Sequence, residues 1–242
     1  MLSKEQAADK VIVALDVTPE RALELADLLA GTGAWVKVGM TLFYAVGPSM
    51  VATMREKGLH VFLDLKVHDI PFQVHGAVRS ASLTGAEILS IHGLGGSAMI
   101  AEGRAGAEEA AQITGLPRTR LVAISVLTSM DQAALAEIGV EHPVVDEVSR
   151  LASLSYGAGA DGIVCSPQEA AQMRALLGPD ALIVTPGVRP AGAEVGDQKR
   201  IATPAAAIAA GASKIVVGRP ITKAEDPLAA FEAIRDEIAR GE

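Results

Sequence analysis

The sequence predicts an α/β fold in which residues 1–242 form one single-domain (β/α)8 barrel, a TIM barrel. Three observations support this prediction: eight short apolar runs, amphipathic alanine-rich stretches between them, and the absence of a linker or composition shift. Strand–helix alternation repeated eight times in roughly 250 residues is typical of this barrel. A doubly wound open sheet alternates in the same way, but it usually has fewer strands, and no G-x-G-x-x-G motif follows the first run.

The eight predicted strands are apolar almost throughout, as expected of parallel strands that are covered on both faces. In chain order they are VIVALDV (11–17), WVKVG (35–39), HVFLDLK (60–66), EILSIHG (87–93), RLVAISVLT (120–128), DGIVCS (161–166), LIVTPGV (182–188) and KIVVGRP (214–220). Each run ends in polar or glycine-rich sequence. In such a barrel, the loops that follow the strands form the active site.

Helical spacing of apolar residues marks several of the segments between these strands. In the first, residues 19–33, Pro19 suits the first helical position and Gly31 or Gly33 a helix stop. Further predicted helices lie within residues 97–115, 166–180 and 226–241.

Composition excludes several classes of function. The net charge of −8 argues against nucleic acid as the main partner, because phosphate backbones are met by a surplus of lysine and arginine. A local cluster of cations could still hold a small anionic ligand. The single cysteine, Cys165, excludes an internal disulfide framework and fits a reducing cytoplasm. With a polar N-terminus and no apolar run of bilayer length, we expect a cytoplasmic protein without a signal peptide or membrane span.

Charged residues close the first three predicted strands. Asp16 ends the first, Lys37 lies in the second, and Asp64 and Lys66 end the third. Side chains two apart on a strand share a face, so Asp64 and Lys66 should both face the barrel mouth, with Asp69 in the loop beyond. One such charge alone usually forms a rim salt bridge. Several converging at one mouth indicate an active site that controls a proton.

Two later segments predict a phosphate site, because the loops after the seventh and eighth strands commonly bind phosphate in such barrels. TPGVRP (185–190) supplies Gly187 and Arg189, and VVGRPIT (216–222) supplies Gly218 and Arg219. The arginines offer charge-assisted hydrogen bonds, and the glycines allow close backbone approach.

Other candidates are less specific. Thr128 and Ser129 could donate hydrogen bonds to a ligand, or they could cap a helix that starts near Asp131. We interpret His92 as a hydrogen-bonded structural residue and Cys165 as a small buried hydrophobe. The remaining histidines lack metal-ligand spacing, so no metal site is predicted.

The motifs together resemble the orotidine 5'-phosphate decarboxylase family. They are VALDV, VKVG, FLDLKVHDIP, IHGLGG, VLTS, TPGVRP, DQKR and VVGRPIT, in the order of the family and over nearly the whole chain. The D-x-K-x-x-D within FLDLKVHDIP is shared with related barrel enzymes that act on sugar phosphates. The lysine of VKVG and the closing GRPIT make the resemblance specific.

This resemblance implies the conversion of orotidine 5'-monophosphate to UMP and carbon dioxide without cofactor or metal. It implies that Lys66 donates the proton and that Asp64 lies beside the departing carboxylate. Lys37 and Asp16 would contact the ribose. Asp69 would reach into the site of a partner subunit, so the resemblance implies a homodimer.

Further positions follow from the same resemblance. Gly218, Arg219 and Gln198 match the residues that grip the phosphate group, with Arg189 nearby. Thr128 or Ser129 would face the pyrimidine ring. One departure is Gln73, which stands where a threonine is common in the family, at the helix start that would contact the ribose.

The chemistry of the residues supports the same conclusion. Loss of carbon dioxide from a ring without an electron sink leaves a carbanion in the ring plane. An ammonium group placed there stabilises the carbanion and can protonate it. The flanking carboxylates of Asp64 and Asp69 would keep Lys66 charged, because nearby anions favour the charged form.

Two alternatives remain. A magnesium-dependent decarboxylase or aldolase of sugar phosphates shares the motif of the third strand but carries an acid where this chain has Lys37. A non-catalytic nucleotide-binding barrel would keep Arg189 and Arg219 but would not need Asp64, Lys66 and Asp69.

Overall fold

The computed structural model describes residues 1–190 and 202–241. Over these residues, eight parallel strands follow one another around a closed barrel, and the first strand pairs with the last. The strands are β1 (Val11–Ala14), β2 (Trp35–Gly39), β3 (His60–Val67), β4 (Ile88–His92), β5 (Arg120–Ile124), β6 (Gly162–Val164), β7 (Leu182–Thr185) and β8 (Lys214–Val217). The predicted (β/α)8 barrel is confirmed.

Helices surround the barrel. They are α1 (Lys4–Ala8), α2 (Pro19–Leu29), α3 (Met40–Val46), α4 (Ser49–Glu56), α5 (Pro71–Ser82), α6 (Gly96–Thr114), α7 (Gln132–Glu137), α8 (Val144–Gly157), α9 (Ala170–Leu177), α10 (Pro204–Ala209), α11 (Arg219–Thr222) and α12 (Pro227–Arg240). Short 3₁₀ turns cover Gly93–Gly95 and Pro167–Glu169. In the part of the chain that the structure describes, none of the helices combines the length and the apolar character needed to cross a membrane.

The first long helix, α2, begins and ends as its sequence predicts. Pro19 is its first residue, and the hydroxyl group of Thr18 accepts a hydrogen bond from the backbone of Arg21. The helix ends at Leu29, and Gly31 follows with a φ of 77°, a conformation that glycine adopts without strain.

Several strands end earlier than the sequence predicts. The fifth run was expected to extend over residues 120–128, but β5 ends at Ile124. Val126, beyond its end, is nevertheless buried. The apolar run is therefore longer than the strand because the loops at the barrel mouth are also covered. The same correction applies to the first, sixth, seventh and eighth strands.

Strand residues alternate between two apolar layers, as the pleat requires. On β1, Val11 and Val13 pack outward against the helices, whereas Ile12 and Ala14 point into the barrel. The inner layer is small. It consists of Ile12, Ala14, Trp35, Phe62, Ile88, Val122, Leu182, Val184 and Val216.

Polar contacts close the floor of the barrel, at the N-terminal ends of the strands. The indole of Trp35 donates a hydrogen bond to Asp9 Oδ1 (2.8 Å) and stacks on His60 at 4.9 Å between ring centroids. The Nζ of Lys214 lies 4.1 Å from the Trp35 ring centroid and donates to Asp9 Oδ1 at 3.0 Å. These contacts join β1, β2 and β8 at the floor.

Helices α5 and α6 pack closely because α6 carries a glycine at the contact. A Cβ on Gly106 would lie 2.3 Å from the backbone oxygen of His75. Beside this contact, His75 Nδ1 lies 2.9 Å from Glu102 and Nε2 lies 3.0 Å from Glu109. These hydrogen bonds raise the pKa of His75, the one to Glu109 most.

Candidate active site

A cavity of about 580 Å³ opens at the C-terminal ends of the strands, where a barrel of this kind binds its ligands. The apolar side chains at its base include Ala14, Phe62 and Val216 from the inner layer of the barrel, and Val164, which packs against that layer. Most of the predicted site residues line this cavity: Asp16, Lys37, Asp64, Lys66, Thr128, Arg189, Gly218 and Arg219.

Four charges of alternating sign form a continuous array on one wall. The Nζ of Lys37 lies 2.9 Å from Asp16 Oδ1 and 3.6 Å from Asp64 Oδ2. The Nζ of Lys66 lies 2.9 Å from the same Oδ2 of Asp64. Asp16 follows β1, Lys37 lies in β2, and Asp64 and Lys66 lie in β3, so the array follows directly from the neighbouring positions of these strands in the barrel.

The carboxylate of Asp64 lies at the centre of the array. Its burial favours the neutral acid, but Lys37 and Lys66 favour the anion, and Lys66 and Ser90 also donate hydrogen bonds to it. The balance lowers the pKa of Asp64 below its ordinary value, so this carboxylate is ionised at neutral pH.

A glycine makes room for the pair of Lys37 and Asp16. A Cβ on Gly39 would lie 2.9 Å from Asp16 Oδ1 and 2.9 Å from Lys37 Nζ. Contacts this short do not occur, so any larger residue at this position would displace the pair. The VKVG motif contains this glycine, but its sequence alone does not reveal the steric role.

The backbone bends sharply at Lys66. Its φ is 51°, which makes it the one non-glycine residue with positive φ among residues 1–190 and 202–241. The pairing of β3 with β4 also shifts register between Leu63 and Val67. Regular alternation correctly predicts that Lys66 and Asp64 share a side, but the backbone reaches this arrangement through an irregular strand.

Ser90 on β4 is a further polar residue of the site, which the sequence analysis missed. It is fully buried. Its hydroxyl group donates to Asp64 Oδ1 (2.7 Å) and accepts from the backbone N–H of Lys66 (2.8 Å). The only signal was a hydroxyl-bearing residue between the apolar residues Leu89 and Ile91 of β4.

Two predicted residues do not line the cavity. Asp69 is exposed beyond β3, outside the cavity lining, and its Oδ1 accepts from the backbone N–H of Ile70 at 2.6 Å. Ser129 is also exposed and outside the lining. Gln198 lies outside the described residues. The helix after Thr128 and Ser129 is capped by Asp131 itself, so the capping alternative for these two residues is wrong.

The wall of the cavity that follows the last two strands, next to β1, carries cations and turns. Gly187 follows β7 with a φ of 79°. The guanidinium of Arg189 is almost buried and donates to the backbone oxygen of Val188 at 2.8 Å. Arg219 and Lys223, after β8, also line the cavity. The positive charge of these side chains suits an anionic group such as a phosphate.

His92 closes β4 behind the array. Its Nδ1 accepts from the backbone N–H of Leu94 (3.3 Å), and its ring stacks on His68 at 5.0 Å between centroids. Burial, with the nearby charges of His68 and Lys66, lowers the pKa of His92 to about 4. Cys165 is buried, as interpreted from the sequence. Within the described ranges, no group of three or more His, Cys, Asp or Glu side chains could hold a metal ion.

Known proteins resemble this chain over nearly all of its length. Residues 9–234 match the sequence profile of the "Orotidine 5'-phosphate decarboxylase / HUMPS family". The orotidine 5'-phosphate decarboxylase of Synechococcus sp. (strain WH7803) is 50% identical over 239 residues, which is 98% of each chain. That of Cutibacterium acnes is 49% identical and covers 95% of this chain and 96% of its own.

A solved structure agrees with these relatives. The crystal structure of orotidine 5'-phosphate decarboxylase from Lactobacillus acidophilus superimposes with a TM-score of 0.84 at 39% identity. The match covers 94% of this chain and 98% of that one.

Proposed function

Because the chain belongs to the orotidine 5'-phosphate decarboxylase family, we propose that Lys66 is the proton donor of its reaction. The match to this family also confirms the resemblance that the sequence motifs predicted. The chain decarboxylates orotidine 5'-monophosphate to UMP in pyrimidine biosynthesis. The observation that carries the assignment of Lys66 is its 2.9 Å contact with Asp64 in the charged array of the cavity.

The reaction breaks the bond between the pyrimidine ring and its carboxylate. Carbon dioxide leaves, and the electron pair of that bond stays on the ring carbon, in the plane of the ring. The ammonium group of Lys66 stabilises this charge and transfers one proton to the carbon, which forms the C–H bond of UMP. Lys66 is then neutral and regains a proton from water.

The other members of the array position Lys66 and the substrate. Ionised Asp64 accepts the hydrogen bond of Lys66 and would lie beside the departing carboxylate. Lys37 binds both Asp64 and Asp16, so it keeps the two carboxylates apart and would contact the ribose together with Asp16. A cavity of about 580 Å³ is within the range that holds a nucleotide-sized ligand.

The phosphate group would bind at the wall that follows β7 and β8. Arg189 and Arg219 supply positive charge there, and Gly187 and Gly218 allow the backbone to approach the ligand. We assign Gln198 to the same group on the motif alone. Thr128, after β5, also lines the cavity and would face the pyrimidine ring.

The test of the proton donor is the variant Lys66→Ala, assayed by the loss of the orotate-type ultraviolet absorbance. We expect kcat to fall at least roughly ten-thousand-fold, since both the general acid and the stabilising cation are lost. Binding of UMP should persist. Lys57→Ala is the control, because Lys57 pairs with Asp27 on the surface at the other end of the barrel. A Lys66→Ala variant that keeps a tenth of the turnover would contradict the assignment.

Metal dependence separates this function from that of the sugar-phosphate enzymes. Lys37 lies between Asp16 and Asp64, so a cation already stands between the carboxylates that could otherwise bind magnesium. We therefore expect full activity in excess EDTA. Loss of activity that magnesium restores would favour the magnesium-dependent alternative.

We further propose that the protein is a cytoplasmic homodimer in which Asp69 completes the site of the partner subunit. Asp69 is exposed and outside the cavity of its own subunit. The exposed apolar side chains support an interface, because Ile70 is 63% and Phe72 80% exposed, and Tyr44 on α3, which follows the adjacent strand β2, is 74% exposed. Large apolar side chains grouped on a surface are typical of contacts between proteins.

Mixing two inactive variants tests this arrangement. Lys66→Ala and Asp69→Ala homodimers each have two damaged sites, whereas a mixed dimer has one intact site. Random exchange makes half of the dimers mixed, so roughly a quarter of the wild-type sites should return. Lys66→Ala mixed with Asp64→Asn is the control, since both groups belong to one subunit and no intact site can form. Confirmed exchange without recovery would place Asp69 in its own site.

A further inference from the structure

We infer that Ser90 is a positioning residue for the proton donor: its hydroxyl group fixes the carboxylate of Asp64 and the main chain of Lys66 relative to each other. This inference rests on the proposed role of Lys66. Ser90 lies on β4, behind the charged array, and it is not part of the cavity lining. It therefore acts through its neighbours and not on the substrate.

The register of β3 and β4 shows why a side chain is needed here. Leu63 pairs with Leu89, and Val67 pairs with Ile91. Three residues of β3 thus lie opposite the single residue Ser90 of β4, so the regular ladder of backbone hydrogen bonds is interrupted. The backbone N–H of Lys66 donates instead to Ser90 Oγ, at 2.8 Å.

The same hydrogen bond supports an unfavourable backbone conformation. A φ of 51° at Lys66 brings its Cβ close to the backbone, and such a residue persists only where its surroundings hold it. Ser90 is fully buried on β4, which is paired on both sides with β3 and β5, so its hydroxyl group has a fixed position. A fixed acceptor for the Lys66 N–H is what this conformation requires.

The same hydroxyl group donates a hydrogen bond to Asp64 Oδ1, at 2.7 Å. This contact fixes the rotation of the carboxylate and leaves Oδ2 for Lys66 Nζ (2.9 Å) and Lys37 Nζ (3.6 Å). A hydroxyl group has one proton to donate and can also accept, and both capacities are used here. Ser90 thereby connects the main chain of Lys66 with the anion that holds its ammonium group.

Removal of the hydroxyl group should affect turnover more than binding. In Ser90→Ala, the carboxylate of Asp64 can rotate and the backbone of Lys66 loses its acceptor, so the ammonium group moves relative to the ring carbon. Displacement of a reacting group by about 1 Å can reduce the rate about 100-fold. We therefore expect kcat to fall about 100-fold. The KM for orotidine 5'-monophosphate should change less than about threefold, because the phosphate contacts are unaffected.

Two further variants distinguish positioning from packing. Ser90→Cys keeps the size of the side chain but makes much weaker hydrogen bonds, so it should lose nearly as much kcat as Ser90→Ala. Ser155→Ala is the matched control, because Ser155 is equally buried and its hydroxyl group has no hydrogen-bond partner among the described residues. It should keep full kcat. Thermal melting of each variant shows that it is folded.

Hydrogen exchange gives a reading that does not depend on activity. The Lys66 amide should be protected in the wild type and in Ser155→Ala but exchange faster in Ser90→Ala. Wild-type kcat in Ser90→Ala or Ser90→Cys would overturn the inference while leaving Lys66 as the proton donor. If the wild-type protein does not decarboxylate orotidine 5'-monophosphate, the proposed function itself fails, and the exchange measurement still reports on Ser90.

Discussion

A residue without a side chain determines whether the charged array can form. Gly39 ends β2 just where Lys37 and Asp16 meet, and the two charged groups occupy the volume that a Cβ would need. Both groups are at the ends of flexible side chains, so they could move aside without disturbing the barrel. A larger residue would therefore separate Lys37 from Asp16 and disrupt the array, while the fold would keep its stability.

Gly39→Ala should therefore impair catalysis more than folding. We expect kcat/KM to fall about 100-fold, as for a misplaced catalytic group, and the melting temperature to change by less than about 3 °C. Gly157→Ala is the control, since no atom lies within 4 Å of a Cβ at Gly157. Steady-state kinetics and thermal melting of both variants check the expectation, which fails if Gly39→Ala is fully active.

The sequence predicted the charged residues of the site because charge is unexpected at the end of an apolar strand. Asp64 and Lys66 stand out for this reason. Ser90 does not, because a serine in a strand is an ordinary small residue unless its neighbours across the sheet are known. The left-handed backbone at Lys66 could not be predicted for the same reason, since it depends on the register between two strands and not on local sequence.

Strands and helices were predicted more reliably than their ends. Apolar residues indicate which parts of the chain are buried. At the barrel mouth the loops are buried as well as the strands, so an apolar run does not show where a strand ends. Val188 shows this, since it is fully buried although β7 ends at Thr185. Helix starts were clearer, because Pro19 and its capping residue Thr18 act locally and can be recognised in the sequence.

The contact between α5 and α6 predicts a large loss of stability in Gly106→Ala. The added Cβ would meet the backbone oxygen of His75, 2.3 Å away, and backbone atoms cannot move aside as a side chain can. Overpacking of this kind should lower the free energy of unfolding by about 3 kcal/mol. In Gly157→Ala, also in a helix, it should change by less than about 1 kcal/mol. Urea unfolding compares the two, and equal stabilities would refute the packing argument.

Two histidines should change the stability of the barrel in opposite directions as the pH changes. Burial lowers the pKa of His92 to about 4 in the folded protein. As the pH falls from about 6.5 towards 4, the unfolded chain therefore binds a proton at this histidine before the folded protein does, and the folded protein loses stability. The pKa of His75 is raised, chiefly by its hydrogen bond to Glu109. The contribution of His75 to the free energy of unfolding is complete below about pH 6.5 and is lost as the pH rises through the pKa of His75 in the folded protein.

Two variants should therefore change the pH profile in opposite directions. His92→Asn, which can still accept the hydrogen bond from Leu94, should be more stable relative to wild type at about pH 5 than at about pH 8.5. His75→Gln should be less stable relative to wild type at the lower pH. Urea midpoints at the two pH values measure both differences. The same sign for both variants would show that these histidines do not control the profile.

The floor of the barrel also gives the protein an optical probe. Trp35 is the only tryptophan of the chain, and it lies where β1, β2 and β8 meet, against His60 and beneath the Nζ of Lys214. Its fluorescence thus comes from the seam at which the first and last strands close the ring. Unfolding of that seam would expose the indole to water and shift its emission to longer wavelengths. A nucleotide bound at the mouth, at the other end of the strands, would leave the emission unchanged.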